Sequence, residues 1–236
     1  MEYLDQQKNY WKTGYHAPNV EGFVFRLKPV LLDKHVNFKN KKKYEVLDFG
    51  CGEGSNVNYL YERYGFIPHG VDIAELDIKN CKKKYKKFKS NYKVIDAKPR
   101  EDDNFFNKKF DLIISIQTLY YLDNHDLEVR LNSLKKMLKP NGLVFFSMMG
   151  VKHYYYKYYS EKKHKNGLTT INLQKDLSFK KRQKKNIYKH YINITKSESH
   201  LIARMSMFKK LSLGFYDYSV GDSKMQAYHH TFLGKK

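Results

Sequence analysis

Between residues 44 and 150 the apolar positions fall into short runs, separated by stretches in which they recur at helical spacing. Residues 44–49 form a short buried-type strand, 69–73 and 92–96 read as a second and a third, and 110–116 and 143–147 are the most apolar runs. Of these, 110–116 is the most clearly β-branched. After the first run, Val57, Leu60, Tyr61 and Tyr64 lie on one helical stripe, with Gly65 where a left-handed cap belongs. The lysine-rich segment 74–88 reads as a helix with a solvated face. Over 124–139, Leu127, Leu131, Leu134 and Leu138 repeat the helical spacing, and Pro140-Asn141-Gly142 stops that helix before the next strand. Such alternation predicts an α/β domain with a parallel sheet and right-handed crossovers. No internal repeat is visible.

The flanks break this rhythm. Residues 1–43 carry an aromatic and polar segment, Tyr10 to Glu21, followed by Phe23, Phe25, Leu27 and Val30, which suggests an amino-terminal helical lid. Residues 151–200 hold Tyr154, Tyr155, Tyr156, Tyr158 and Tyr159, and thirteen Lys or Arg against Glu161, Asp176 and Glu198, a basic aromatic insertion. Thr195-Lys196-Ser197-Glu198 fits a capping box opening a helix through Met207. Two strand-like runs, 211–219 and 226–233, close the chain. The expected organisation is one domain: lid 1–43, ligand-binding core 44–150, insertion 151–200, and final helix and strands 201–236.

Charge adds one constraint. Lys plus Arg number 45 against 24 Asp plus Glu, a net charge of +21 that predicts solubility and an anion-attracting field. Because the excess is almost all lysine, amid abundant Asn and Tyr, it reflects genome composition as readily as selection for a partner. Cys51 and Cys81 are too few for a disulfide framework or a thiolate metal site, so a reducing compartment fits. The start lacks the pattern of a signal peptide and the longest apolar runs are strand-sized, which points to a soluble cytoplasmic protein without membrane insertion. The ten histidines show no His-x3-His spacing on an expected helix, and no metal is expected.

Chemistry enters at Asp48-Phe49-Gly50-Cys51-Gly52-Glu53-Gly54-Ser55-Asn56, between a strand and a helix. Glycines let the backbone turn sharply against a ligand, and amides at a helix start favour a negative group. Asp72 ends the next strand, 24 positions after Asp48, where a carboxylate can accept hydrogen bonds from both ribose hydroxyls. The pair points to an adenosine-type ligand. A dinucleotide fingerprint asks for glycine where Ser55 stands and leaves Asp48 without a task. S-adenosylmethionine carries no phosphate, and its ammonium suits Asp48.

The segment 46–55 resembles the first motif of class I S-adenosylmethionine-dependent methyltransferases, and the likeness extends from about residue 44 to 147. Asp72-Ile73 resembles that family's ribose-binding position and Asp96-Ala97 its adenine-binding one, while Ser115-Ile116-Gln117 lies in a stretch, 110–122, that resembles its fourth-strand motif. Residues 138–143 resemble the Leu-Lys-Pro-Gly-Gly before its fifth strand. The resemblance implies a Rossmann-like three-layer sandwich with seven strands in the order 3-2-1-4-5-7-6 and S-adenosylmethionine as cofactor, released as S-adenosylhomocysteine. It also implies cofactor contacts from Asp48, Gly50, Cys51, Gly52, Gly54, Ser55, Asn56, Asp72, Ile73, Asp96, Ala97, Ser115, Ile116 and Gln117. The stretches His16-Ala17-Pro18-Asn19-Val20-Glu21 and Tyr228-His229-His230-Thr231-Phe232 also resemble uncharacterised small-molecule methyltransferases found near surface-polysaccharide genes.

A base helps methyl transfer when the nucleophile is a hydroxyl. Candidates are His16 in the lid, Tyr121 after the fourth strand, where many relatives carry histidine, His153 after the fifth, and His230 in the last. Each has a structural alternative: loop histidine, helix-start packing, an aromatic core for the insertion, or a satisfied histidine facing a helix layer. The expected activity is methylation of an oxygen, ahead of nitrogen, on a small and anionic sugar-pathway or nucleotide-linked acceptor. The run 180–185 leaves two rivals, an RNA methyltransferase and a non-catalytic cofactor-binding module acting through its basic face.

Overall fold

The structure, a computed structural model, describes residues 43–176, 188–217 and 226–236. The expected lid up to residue 42 and the basic run 180–185 lie outside these. The first strand, β1 (Glu45–Phe49), is followed by the glycine turn and helix α1 (Ser55–Tyr64). Val57 and Leu60 of α1 are fully buried, and Gly65 caps its end in the left-handed conformation at φ 70°, as the apolar spacing requires. Strand β2 (Ile67–Asp72) leads to α2 (Glu75–Lys84), which carries Glu75 and Asp77 in its first turn and Lys82, Lys83 and Lys84 in its last, complementing its dipole at both ends. This helix is shorter than the expected 74–88, because a separate 3-10 run, Lys86–Asn91, takes the chain into a brief β3 (Tyr92–Val94). Asp96 and Ala97 therefore lie beyond the end of β3.

Strand β4 (Phe110–Ser115) is buried throughout. Helix α3 (Asn124–Met137) starts at Asp123, whose side chain accepts from the Asp126 amide, and passes directly into β5 (Leu138–Met149). The expected Pro-Asn-Gly stop is present as an irregularity at the start of that strand. The pairing with β4 slips from Phe110 opposite Leu138 to Leu112 opposite Leu143, and Asn141 takes φ 63°.

The basic insertion is built as helix α4 (Tyr154–Tyr159) and a separate antiparallel sheet of β6 (Ser160–Lys163), β7 (Leu168–Asn172) and β8 (Lys189–Asn193). Helix α5 (Glu198–Arg204) begins one residue after Ser197, whose side chain accepts from the His200 amide. The cap is therefore Ser197, and Thr195 is drawn instead into a bridge beside Gly150. Strands β9 (Lys209–Tyr216) and β10 (His229–Lys235) complete the main sheet.

That sheet has seven strands in the order β3-β2-β1-β4-β5-β10-β9. It is parallel as far as β5, and β10 runs antiparallel between β5 and β9. The last two members are ninth and tenth in the chain, because the insertion contributes three strands of its own. One face packs Leu127, Leu131, Leu134 and Phe208 against β4 and β5; the other packs Val57, Leu60 and Ile78 against β1 and β4. This is the Rossmann-like α/β architecture expected from the sequence. Among the described residues no helix is long and apolar enough to cross a membrane.

Candidate functional site

The site is assembled where β1, β2, β4 and β5 end, since in an open α/β sheet the connections at the carboxyl ends leave the crevice that ligands use. Asp48 is the last but one residue of β1 and is 1% exposed. Neither carboxylate oxygen has a hydrogen-bond partner among the described residues. Burial, with the charge of Asp72 adding to it, pushes its pKa from 3.8 up to about 8. A buried carboxylate with nothing to bind is costly, and it makes this a place where a cation is welcome.

Four amides of the glycine loop are bonded within the protein. Gly50 N and Cys51 N both donate to Val71 O at 2.8 and 3.0 Å, Gly52 N donates to Asp72 Oδ2 at 2.8 Å, and Gly54 N donates to Cys51 O at 2.8 Å. The first three tie the turn after β1 to β2, and the fourth closes the turn itself. The glycines remain necessary for shape. Gly50, at φ 79°, lies so close to Thr118 that a Cβ would come within 2.1 Å of its Oγ1. Gly52, at φ 50°, meets nothing within 4 Å where a Cβ would project, so the loop presents open space there.

Asp72 accepts from Gly52 N and from Ala74 N, the latter at 2.9 Å. Burial raises its pKa while these backbone bonds oppose the rise. The ribose-binding position thus also holds the loop. Cys51 and Cys81 both point at Gly52 O, at 3.5 and 3.3 Å, and burial pushes the Cys51 thiol up, so it packs the loop from below as a neutral group. Ser55 and Asn56 open α1, and both are half-buried. Ile73 is half-buried, Ala97 is buried, and the exposed Asp96 pairs with Arg100 at 3.5 Å.

At the end of β4, Ser115 Oγ donates to Phe49 O at 2.9 Å, and Ile116 is buried. Gln117 adopts φ 56°, unusual for a residue with a side chain, while its amide donates to Ser147 Oγ at 2.8 Å. The three strand ends are thereby laced together by side chains. Thr118 and Ser147 were not singled out from the sequence, nor was Asn58, whose Nδ2 donates to Gly54 O at 2.7 Å and to the Tyr92 hydroxyl. A buried Asn four residues after Gly54 on an otherwise apolar stripe is the signal that would have found Asn58.

The candidate bases separate. His16 lies outside the described residues. Tyr121 is half-buried, its ring 4.8 Å from that of Tyr120. His153 caps α4, with Nδ1 accepting the Tyr155 amide at 3.1 Å, and burial lowers its pKa to about 3. His230 is buried with Nδ1 unpartnered and packs edge-on to Tyr228. Its neighbour His229, not among the sequence candidates, is 1% exposed and faces His153, Tyr120 and Tyr216. Among the described residues no three His, Cys, Asp or Glu side chains are grouped as metal ligands.

Comparison with known proteins follows the same lines. Residues 19–186 match the family described as "Methyltransferase domain". The chain is 29% identical over 121 residues to a malonyl-[acyl-carrier protein] O-methyltransferase of Acetivibrio thermocellus, covering 51% of this chain and 40% of that protein. It is 31% identical over 150 residues to phosphoethanolamine N-methyltransferase 3 of Arabidopsis thaliana, covering 59% of this chain and 30% of that one. The chain therefore spans well under half the length of these curated relatives. In fold it is similar to the crystal structure of a 1,6-didemethyltoxoflavin-N1-methyltransferase of Burkholderia thailandensis with bound S-adenosylhomocysteine, with TM-score 0.64 and 15% identity over 100% of this chain and 89% of that one. With a sheet of this order, a glycine loop between β1 and α1, and a family match over most of its length, the chain belongs to the methyltransferase domain family.

Proposed function

We propose that this chain is an S-adenosylmethionine-dependent methyltransferase, a single catalytic domain acting in the cytoplasm on a small molecule, with oxygen as the methyl acceptor. The observation that carries the cofactor assignment is Asp48, a buried carboxylate with both oxygens unpartnered beside an open loop surface at Gly52. A sulfonium amino acid supplies the cation such a group lacks, and its adenosine end suits Asp72. The bound cofactor would contribute an activated methyl group. The chain's own residues then have definite tasks. Asp48 holds the ammonium and Gly52 lets the ligand lie against the backbone. Asp72 binds the ribose while still fixing the loop, and Ile73, Asp96 and Ala97 border the adenine. Ser55 and Asn56 stand at the start of α1 for the carboxylate, and Ser115, Ile116 and Gln117 line the side toward the acceptor.

Curated relatives named for O- and for N-methylation both match the chain, so the choice of oxygen rests on the chemistry of the acceptor side. The rival reading as an RNA methyltransferase depends on the run 180–185, which lies outside the described residues, and no structural observation favours it. Isothermal titration calorimetry tests the cofactor assignment. S-adenosylhomocysteine should bind with micromolar affinity and NAD should give no heat; the reverse pattern would end the proposal.

A further inference from the structure

We infer that His229 is the catalytic base of this site, its Nε2 taking the proton of an acceptor hydroxyl. The inference rests on the methyltransferase reading and adds to it the acceptor group and the residue that receives its proton.

The geometry begins with the backbone. The segment after β5 is stitched to the segment before β10: Gly150 N donates to Tyr228 O at 3.1 Å, His153 N to Gly150 O at 3.0 Å, and Tyr154 N to Gln226 O at 2.9 Å. That stitching brings the His153 ring to 5.1 Å from the His229 ring, edge to face. Register places His229 opposite Met149, two residues beyond Ser147, the side chain that accepts the Gln117 amide. His229 therefore stands at the carboxyl edge of the sheet, on the same rim as the glycine loop.

The tautomer follows from its partners. His229 Nδ1 lies 3.3 Å from Ala227 O, and a carbonyl only accepts, so Nδ1 carries the hydrogen and Nε2 bears a lone pair. That Nε2 is buried, and no donor among the described residues reaches it. His153 has the opposite arrangement. Its Nδ1 accepts the Tyr155 amide, so its proton resides on Nε2, where it can donate but not accept. Tyr216 stacks on His229 at 4.7 Å and Tyr120 lies at 5.7 Å, giving the base aromatic walls. His153 and His230, imidazoles whose own pKa values burial lowers, are the titratable groups that act on His229.

In the reaction the acceptor O–H bond breaks and its proton goes to the Nε2 lone pair. An oxygen electron pair forms the bond to the methyl carbon, and the carbon–sulfur pair stays on sulfur. Charge is conserved, the positive charge passing from sulfur to the imidazolium.

The test uses the full chain labelled with 15N-histidine. In the protein saturated with S-adenosylhomocysteine, His229 should show a protonated Nδ1 and a bare Nε2, neutral from about pH 6 to 9. A protonated Nε2, or titration near the ordinary histidine pKa, overturns the inference. Calorimetry on the same sample separates this failure from that of the cofactor reading: no binding of S-adenosylhomocysteine removes both, and binding with the wrong tautomer removes only this one. A second arm screens simple phenols, sugars and primary amines for methyl incorporation. The products should be methyl ethers, and His229→Gln should lower turnover by about 100-fold with unchanged S-adenosylhomocysteine affinity. Methylated amines only, or full turnover in the variant, would refute the assignment.

Discussion

Asp48 concentrates the conflict between stability and binding in one side chain. Folding raises its pKa from 3.8 to about 8, so the folded chain keeps a proton that the unfolded chain has released. Stability from this group therefore declines as pH rises from about 4 to 8, and the ionised form is a burden above that range. Asp48→Asn should raise the melting temperature of the unliganded protein at about pH 9 by several degrees, while weakening S-adenosylhomocysteine binding at least about tenfold, a loss of about 1.4 kcal/mol. At pH 7 the wild-type group is protonated, so pairing with a ligand ammonium must expel that proton. Calorimetry in buffers of different ionisation enthalpy should show up to about one proton released per ligand, and none in the Asn variant. The two loop glycines should behave differently. Gly52→Ala meets nothing within 4 Å and should cost about 1 kcal/mol of stability for its left-handed backbone, yet lose most cofactor affinity because the methyl occupies the ligand's space. Gly50→Ala would press on Thr118 and should cost about 3 kcal/mol in chemical denaturation. Asp48, Asp72 and the glycines were legible from the sequence because backbone conformation and charge fix their residue types. Asp72 was legible only in part. It accepts from the Gly52 and Ala74 amides, so Asp72→Ala should loosen the loop as well as the ligand.

Among the elements, those with strong local signals formed where the sequence placed them, and those whose ends depend on neighbours moved. The stripe of Val57 and Leu60 with Gly65 gave α1, whereas α2 stopped early at Lys84 and β3 was cut to three residues. Helix α5 is a clear case. The box Thr195-Lys196-Ser197-Glu198 implied a cap at Thr195, whereas Thr195 is held in the isolated bridge with Gly150 and Ser197 caps the helix. Ser197→Ala should therefore destabilise the protein by about 1 kcal/mol, read as a lower denaturant midpoint with unchanged slope. Arg130 of α3 is another feature that spacing could not supply. It is 1% exposed, pairs with Asp103 at 2.7 Å and lies over the rings of Phe49 and Phe105, so it fastens the loop after β3 to the end of β1. Arg130→Ala should cost about 3 kcal/mol, since it leaves a cavity and removes the ion pair with Asp103.

At the scale of the whole molecule, the net charge of +21 and the buried site belong to different physics. Surface lysines act through a field that salt screens within about 10 Å at 0.1 M, while Asp48 is closed off from solvent. S-adenosylhomocysteine affinity should therefore change by less than about twofold between low and moderate salt, whereas any RNA retained on the protein by its lysines should be lost steeply over the same range; filter binding beside calorimetry reads both. The sequence by itself determined the alternation of strands and helices, the loop that turns beside Asp48, and the acid that ends β2. Each of these depends on local backbone geometry and burial period, which a single chain segment carries within itself. Only the tertiary structure decided that the Gly50, Cys51 and Gly52 amides are taken up in tying the loop to β2, that Gln117 and Ser147 lace the strand ends, and that His229 keeps a nitrogen unpartnered among the described residues beside His153 while His153 caps a helix. Those outcomes depend on which distant groups meet across the sheet, and the pairing of β10 between β5 and β9 creates that neighbourhood without leaving any spacing in the sequence to announce it.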